Sequence, residues 1–594
     1  MPKLLRVGLI LLPSLAFVVM ASAYVGRKWN DPAPVGSGSS GRGKLVVVAV
    51  FDQFRGDYPV RWAKLFGQNG FARIQREGVS YTQAHLPYAA TSTGPGHASI
   101  ATGQPPSVHG IVETEWFDRK LGAKLYCAQP LKRYERVPSS ETVDPITKRI
   151  QDSVGLSPEQ IQCDSLGDHL RKATPNSRVY SLALKDRTAV MLGGQRPTVA
   201  YCFDTAQGEF HTSSYYADSV PAWVMDFNKS GAADAWFTKQ WERFSKVELY
   251  NATVGPDDAP GETRYEKDVK TGQMVGYGPT FPHPMNIDTQ PHPNKRYYER
   301  LESSPFGNDL LWQFATSAID AEQLGTLGTT DLLYLGFSSN DLVGHRWGPD
   351  SHEVLDMTLR TDALIEKMID YLDAKLGPGN YTLVITADHG VCPFPEHEQK
   401  TNPEADRFDP RAELDPAVMG EVLNNRFGKL ADDPRTWFNE NGKSYFPMLY
   451  LNRSFIDANG LQVNDVAEAV ARWAENRDHI VKAIPRAVLM GPASADPVTR
   501  QCQLGYRDTR SGEVFLVIKP YCLPLGPASV GTNHGSPNSY DTHVVLMAYG
   551  ADVPKLGSRD EKINSLSIAL MICETLGIAP PGNLPTELPS GWKQ

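Results

Sequence analysis

Lys44-Leu-Val-Val-Val-Ala-Val-Phe-Asp52 runs from a charged residue through an unbroken apolar stretch to a carboxylate. A continuous β-branched run suits a strand covered on both faces, as in a parallel sheet, whereas a half-exposed strand would alternate with polar residues. Similar runs recur at Asp331–Phe337, Tyr381–Ala387, Val514–Ile518 and His543–Ala548. Between two of them, Ser351–Leu376 repeats apolar residues at Met357, Leu364, Met368 and Leu372, which predicts a long helix with one buried stripe. Ile563–Leu576 reads as a further helix on the sheet. Strands alternating with helices predict a doubly wound α/β fold.

Two stretches interrupt this rhythm. Residues 204–300 are rich in aromatics, Gly, Pro and Asp, and residues 392–510 are mixed and polar. Both exceed the ~15 residues beyond which a loop usually has a function or structure of its own. They are expected to form cap insertions over the sheet edge, and the Pro-rich tail from Ala579 a surface strap. At the other end, Lys3 and Arg6 precede an apolar run from Val7 to Met20, followed by Ala21-Ser22-Ala23. That pattern predicts a cleavable export signal over residues 1–23 and a periplasmic or secreted chain. Residues 24–43, with PAPVGSGSSGRG, read as a flexible linker, leaving 44–594 as the main domain. No later stretch is long and apolar enough to span a bilayer.

The 594 residues are 41% hydrophobic and 21% charged, with a formal net charge of −9 and no basic block, so no nucleic-acid partner is expected. The cysteines are Cys127, Cys163, Cys202, Cys392, Cys502, Cys522 and Cys573. Export permits disulfides, and Cys502 with Cys522 is the pair considered for a bridge. None forms a C-x-x-C pair, which argues against a thiolate zinc site or a redox motif.

The chemistry concentrates where strands end. Asp52 follows the first run, Asp341 and His345 follow the second, and Asp388 and His389 follow the third. Open α/β sheets bind ligands beyond the carboxyl ends of their strands, so these residues converge on one edge. His534, in Gly531-Thr-Asn-His-Gly-Ser536 just before the last run, can join them. Three carboxylates and three imidazoles suit zinc or a similar ion, with two open sites. In Ala90-Thr-Ser-Thr-Gly-Pro-Gly-His-Ala98, a glycine-rich turn opens a helix and offers a hydroxyl to the free N–H groups at the helix start, a setting for phosphate. On these grounds Thr91, Ser92 and Thr93 are equivalent nucleophile candidates.

The segments Phe-Asp52-Gln, Thr93-Gly-Pro-Gly-His, Leu-Lys185-Asp-Arg187, Asn-Asp341-Leu-Val-Gly-His345, Ala-Asp388-His389-Gly and Asn-His534-Gly-Ser together resemble the alkaline phosphatase superfamily. They are most similar to its bacterial threonine-nucleophile alkaline phosphatases, which are related to the type I phosphodiesterase/nucleotide pyrophosphatases. The resemblance implies an α/β/α sandwich around a large, mostly parallel central sheet. It selects Thr93 as the nucleophile and implies two zinc sites, one from Asp341, His345 and His534, the other from Asp52, Asp388, His389 and the Thr93 oxygen. His543 is the alternative to His534, and His97 and His109 are expected to be structural.

In that family the two cations of Lys-x-Arg contact phosphoryl oxygens and mark monoesterases, which gives Lys185 and Arg187 that role. Two divalent ions against three aspartates leave about one positive charge, and Lys185 and Arg187 raise it to about three, a match for a monoester dianion. The resemblance thus implies hydrolysis of small-molecule phosphate monoesters through a phosphothreonine, with a phosphodiesterase on the same two metals as the alternative. The family's usual Asn is replaced by Thr114, a shorter donor for a phosphoryl oxygen, with Glu113 and Glu115 beside it. No Cys-x-Pro-x-Arg segment is present to make a sulfatase nucleophile.

Overall fold

The computed structural model describes residues 45–592 except 140, 144–149, 153, 268–273, 288–290, 443–445, 526–528 and 583. The expected export signal and linker lie outside the described residues. The strands that organise the chain are β1 (Leu45–Phe51), β2 (Val79–His85), β3 (Arg136–Val137), β4 (Val179–Ala183), β5 (Val199–Asp204), β6 (Glu209–Ser213), β7 (Asp331–Phe337), β8 (Tyr381–Thr386), β9 (Met448–Leu449), β10 (Ile480–Pro485), β11 (Val514–Ile518), β12 (His543–Gly550) and β13 (Gly557–Asn564). The helices that matter for the site are α1 (Thr93–Thr102), α2 (Leu166–Ala173), α3 (Asp186–Gly193), α4 (Pro305–Glu322), α5 (Ser339–Trp347), α6 (His352–Leu376) and α7 (Ser567–Leu576).

Ten strands form one sheet in the order β13-β2-β12-β8-β1-β7-β4-β5-β6-β3. Its centre, from β8 through β5, is parallel, while β12 and β6 run against their neighbours. β1 shows why its sequence is apolar throughout. Leu45, Val47, Ala49 and Phe51 enter one core cluster, and Val46, Val48 and Val50 enter the other, on the opposite face. α4 and α6 cover the first face with Leu310, Phe314, Ile365 and Met368. α1, α2, α3 and α7 contribute Ile100, Leu170, Leu192 and Ile572 to the second. The architecture is thus the α/β/α sandwich with a mostly parallel central sheet.

Two expectations are corrected. β11 is apolar throughout, yet it sits outside the central sheet, between β9 and β10 in a small antiparallel sheet. Val514, Leu516 and Ile518 face one small core, while Phe515 and Val517 face another. A strand between two minor cores therefore carries the same pattern as one in a major sheet. That division also separates Cys502 from Cys522, which belong to different clusters, and all seven cysteines are free thiols.

The long helix begins at His352, capped by the Ser351 side chain, as its spacing suggested. The last one starts at Ser567 because Ile563 belongs to β13. Aromatics of the stretch 204–300, including Trp241, Tyr250 and Phe281, pack into the core cluster under α6, where Trp241 and Tyr250 both donate to Asp356. In the tail, Trp592 is buried against the opposite cluster. Among the described residues no helix is long and apolar enough to cross a membrane.

Candidate metal centre

Asp52 directly follows β1, and Asp388 and His389 follow β8; Asp341 and His345 lie on α5, the helix after β7. His534 precedes β12, whose antiparallel direction brings its start to the edge where the parallel strands end. The six residues form two groups, Asp52–Asp388–His389 and Asp341–His345–His534, and within each group one donor atom per residue lies within 4.8 Å of the others. The structure thus brings together all six residues singled out in the sequence. His543 stays apart, its Nε2 at 2.7 Å from the Thr82 carbonyl and its ring stacked on His85.

Three hydrogen bonds tell how the imidazoles are prepared. Nδ1 of His389, His345 and His534 lies 2.9, 2.7 and 2.7 Å from the carbonyl oxygens of Gly390, Thr532 and Thr91. A carbonyl only accepts, so each Nδ1 carries a proton, and a neutral ring then turns the lone pair of Nε2 toward the carboxylates. Burial, with His389 and His345 beside it, lowers His534 well below the usual imidazole value and keeps it neutral. Nε2 of His345 is 3.1 Å from Asp341 Oδ1, and Nε2 of His389 is 3.3 Å from Asp388 Oδ2. Asp52 Oδ1, Asp388 Oδ2 and His389 Nε2 are buried with no hydrogen-bond partner. Lone pairs converging in a dry pocket are unfavourable unless a cation sits among them. The Asp52 group therefore fits a divalent ion by its unpartnered atoms, and the Asp341 group fits one by its converging donor set.

Close packing holds this arrangement. A Cβ on Gly96 would meet the Asp388 carbonyl oxygen at 2.4 Å, so glycine alone lets α1 approach the closed group. His97 fastens the same junction, with Nδ1 at 2.8 Å from the Thr93 carbonyl and 3.2 Å from Asp388 Oδ2. His109 is farther back, bonded to Ser99 and to the Ile111 N–H. Thr93 opens α1 and is almost fully buried. The Gly94 N–H donates to Thr114 Oγ1 at 3.1 Å, so Thr114 borders the helix start and keeps its own hydroxyl proton to give.

The two cations behave differently. The Lys185 ammonium donates to Asp52 Oδ2 at 2.8 Å and also to Asp341 Oδ2, linking one carboxylate of each group. Burial works against its charge, but Asp341 and Asp52 hold its pKa above the ordinary amine value. Arg187 has no ion pair or side-chain hydrogen bond among the described residues, although its Nε is buried. Its neighbour Asp186 is taken by the Tyr126 hydroxyl at 2.6 Å.

Two participants, Gln53 and Glu302, escaped the sequence reading, and Glu113 entered it only as a charge beside Thr114. Gln53 donates its backbone N–H to Asp388 Oδ1 at 3.1 Å and its side-chain amide to Asp341 Oδ1 at 2.6 Å, so it also spans both groups. It does so from φ 64°, a left-handed backbone that is strained for a residue with a side chain. Gly344 makes room for it, since a Cβ there would lie 1.8 Å from Gln53 Oε1. The only signal in the sequence was its place in Phe-Asp52-Gln. Glu302 lies within electrostatic reach of Lys185 and Arg187, and burial pushes its carboxyl up to about 7. Glu113 accepts from the Ser92 hydroxyl beside the nucleophile candidate, and burial raises it to about 7.

A family model described as type I phosphodiesterase / nucleotide pyrophosphatase matches residues 46–487. Alkaline phosphatase PhoV of Synechococcus elongatus is 32% identical over 581 residues, 96% of either chain. Alkaline phosphatase PafA of Elizabethkingia meningoseptica is 30% identical over 568 residues, 95% of this chain and 96% of the other. The crystal structure of PafA aligns with a TM-score of 0.79, covering 93% of this chain and 99% of that one.

Proposed function

We propose a residue-by-residue reading of this site from one premise: the chain belongs to the type I phosphodiesterase / nucleotide pyrophosphatase family. Within that family it is an alkaline phosphatase, hydrolysing phosphate monoesters and releasing inorganic phosphate, as do relatives similar over nearly its whole length. The observation that favours a monoester over a diester is the pair Lys185 and Arg187, above all the Arg187 guanidinium with its buried, unpartnered Nε. A planar fork can bind two oxygens of a phosphoryl dianion at once.

Asp341, His345 and His534 would hold one zinc ion, and Asp52, Asp388 and His389, with the Thr93 oxygen, a second. When bound, the two ions supply Lewis-acid charge at the phosphoryl group. Thr93 attacks phosphorus, the ester P–O bond breaks, and the alcohol departs in line with the new bond. Water then cleaves the phosphothreonine, regenerating Thr93. Arg187 and the Thr114 hydroxyl hold the phosphoryl oxygens. Lys185 adds positive charge and keeps Asp52 and Asp341 facing each other. The protein mainly positions groups and stabilises developing charge. The export pattern over residues 1–23 supports work in the periplasm or outside the cell.

The test is Thr93→Ala. Turnover of an aryl monoester should fall by roughly 10⁴-fold or more, as when a covalent nucleophile is removed, while elemental analysis still finds both metals. Acid quenching of the wild type during turnover should trap phosphate on Thr93. A fully active Thr93→Ala enzyme would sink this reading. A diester turned over faster than the monoester, with no loss in Lys185→Ala, would support a phosphodiesterase instead.

A further inference from the structure

A cleft of about 690 Å³ opens beside the candidate metal centre. Ser92, Thr114 and His534 form the side where it meets the reacting groups. Its lining also includes the half-buried Phe446 and the edges of the buried Pro447, Leu516, Ile518 and Leu523. Two smaller cavities, of about 340 and 300 Å³, touch none of the six clustered residues or Thr93. The closed group Asp52–Asp388–His389 is wholly buried, so the half-open side at His534 and His345 faces the way out. The volume falls in the range of small-molecule sites.

Charge narrows what this cleft can hold. Glu113, Glu115, Asp409 and Asp541 line it against only Lys124 and Arg411, and Lys124 is already paired with Glu115. At alkaline pH, with Glu113 and Asp541 ionised, a second phosphate or a carboxylate on the substrate would enter among carboxylates, with no unpaired excess of cations to receive it. An apolar group would instead leave water for Phe446 and the apolar edges beside it.

We propose that this cleft receives the alcohol part of the ester and selects phosphate monoesters of uncharged, apolar alcohols over those whose leaving group is itself anionic. The proposal rests on the phosphomonoesterase reading above. The leaving oxygen departs opposite Thr93, and the cleft is contiguous with both the α1 start and the half-open group. Burial against Phe446 and those edges then adds binding that a bare phosphate cannot obtain.

The n-alkyl phosphates from methyl to hexyl test it, because their alcohols differ little in acidity and mainly in apolar area. In the metal-loaded enzyme, kcat/KM should rise with chain length, by at most about fourfold per methylene, and pyrophosphate should be a poorer substrate than hexyl phosphate. Phe446→Ala, at a half-buried position, should flatten the rise while leaving methyl phosphate turnover within about twofold. Ile518→Ala is the second variant and should flatten it likewise. Turnover of methyl phosphate without any rise, a rise untouched by both variants, or a preference for pyrophosphate overturns the cleft proposal alone. Failure to hydrolyse any of the series overturns the monoesterase reading and the cleft proposal together.

Discussion

The two candidate metal-binding groups draw on the same residue types in different proportion, two carboxylates and one imidazole against one carboxylate and two imidazoles, and they also differ in access. Asp52, Asp388 and His389 are sealed at the ends of β1 and β8, under Gly96 of α1. In the other group, His345 keeps about a third of its side chain exposed and His534 about a tenth. Aspartates and histidines thus become one closed and one half-open site through the elements that carry them. Strand ends in the middle of a sheet are covered on every side, whereas the loop before β12 borders the cleft and His345, on a helix, is partly exposed.

The largest effect should come from breaking this asymmetry directly. In the proposed reading, dialysis against a chelator removes the ion of the half-open group first and that of the closed group slowly. Asp388→Asn should cost the closed group more than the ~10–100-fold in affinity that loss of a supporting hydrogen bond costs, and lower the holoprotein's thermal midpoint. His345→Ala should release only the other ion. Metal content followed by elemental analysis against time decides it; loss of both ions at one rate would contradict the distinction.

The two cations provide a second test. Lys185 bridges the groups, and Arg187 binds neither. Lys185→Met leaves Asp52 and Asp341 uncompensated and should cost the metal-stripped protein roughly 3–5 kcal/mol, the range for one partner removed from a buried pair. Arg187→Met should leave that stability unchanged and weaken inhibition by inorganic phosphate by roughly 10–100-fold, the worth of a charge-assisted bond. Arg187→Lys should restore little, since a point charge lacks the fork. Equal stability losses in the two methionine variants would show that Arg187 is also bound into the protein framework.

Much of this was legible because burial on both faces leaves an unmistakable pattern. The run at Leu45–Phe51 announced the central sheet, and the acidic residues at strand ends announced its working edge. The same rule misled at Val514–Ile518, because a local pattern reports burial and not which sheet supplies it. The imidazoles were legible, but the carbonyls of Gly390, Thr532 and Thr91 that fix their tautomers were not, since every residue has a carbonyl. Gln53 was hidden for a related reason: its reach across both groups depends on a positive φ and on the space above Gly344. Glu302, far from the motifs in sequence, comes within electrostatic reach of Lys185 and Arg187 only through the fold.

Gln53 sharpens the comparison from the opposite side, because it contacts one carboxylate of each group. Gln53→Leu removes the side-chain donor to Asp341 but retains the backbone N–H to Asp388. The half-open group should therefore lose roughly 10–100-fold in metal affinity, and the closed group much less. Competition titrations with a metal indicator would resolve the two. An equal loss in both groups would mean that the backbone at Gln53 moves with its side chain.

The smallest effect belongs to the flank of the cleft. Burial holds the Glu113 carboxyl at about 7, above its ordinary 4.5, so the folded chain binds this proton more tightly than the unfolded one. The resulting stability is fully present below about 4.5 and is lost as pH rises through about 7, after which a half-buried carboxylate at the cleft wall remains. Glu113→Gln cannot titrate and retains an oxygen that accepts from Ser92. Urea midpoints of wild type and variant, measured across that window, should therefore diverge, with the wild type falling relative to Glu113→Gln between about 4.5 and 7 and running parallel to it at alkaline pH. Parallel midpoints throughout would show that water in the cleft solvates the Glu113 carboxylate in the folded chain as well as in the unfolded one.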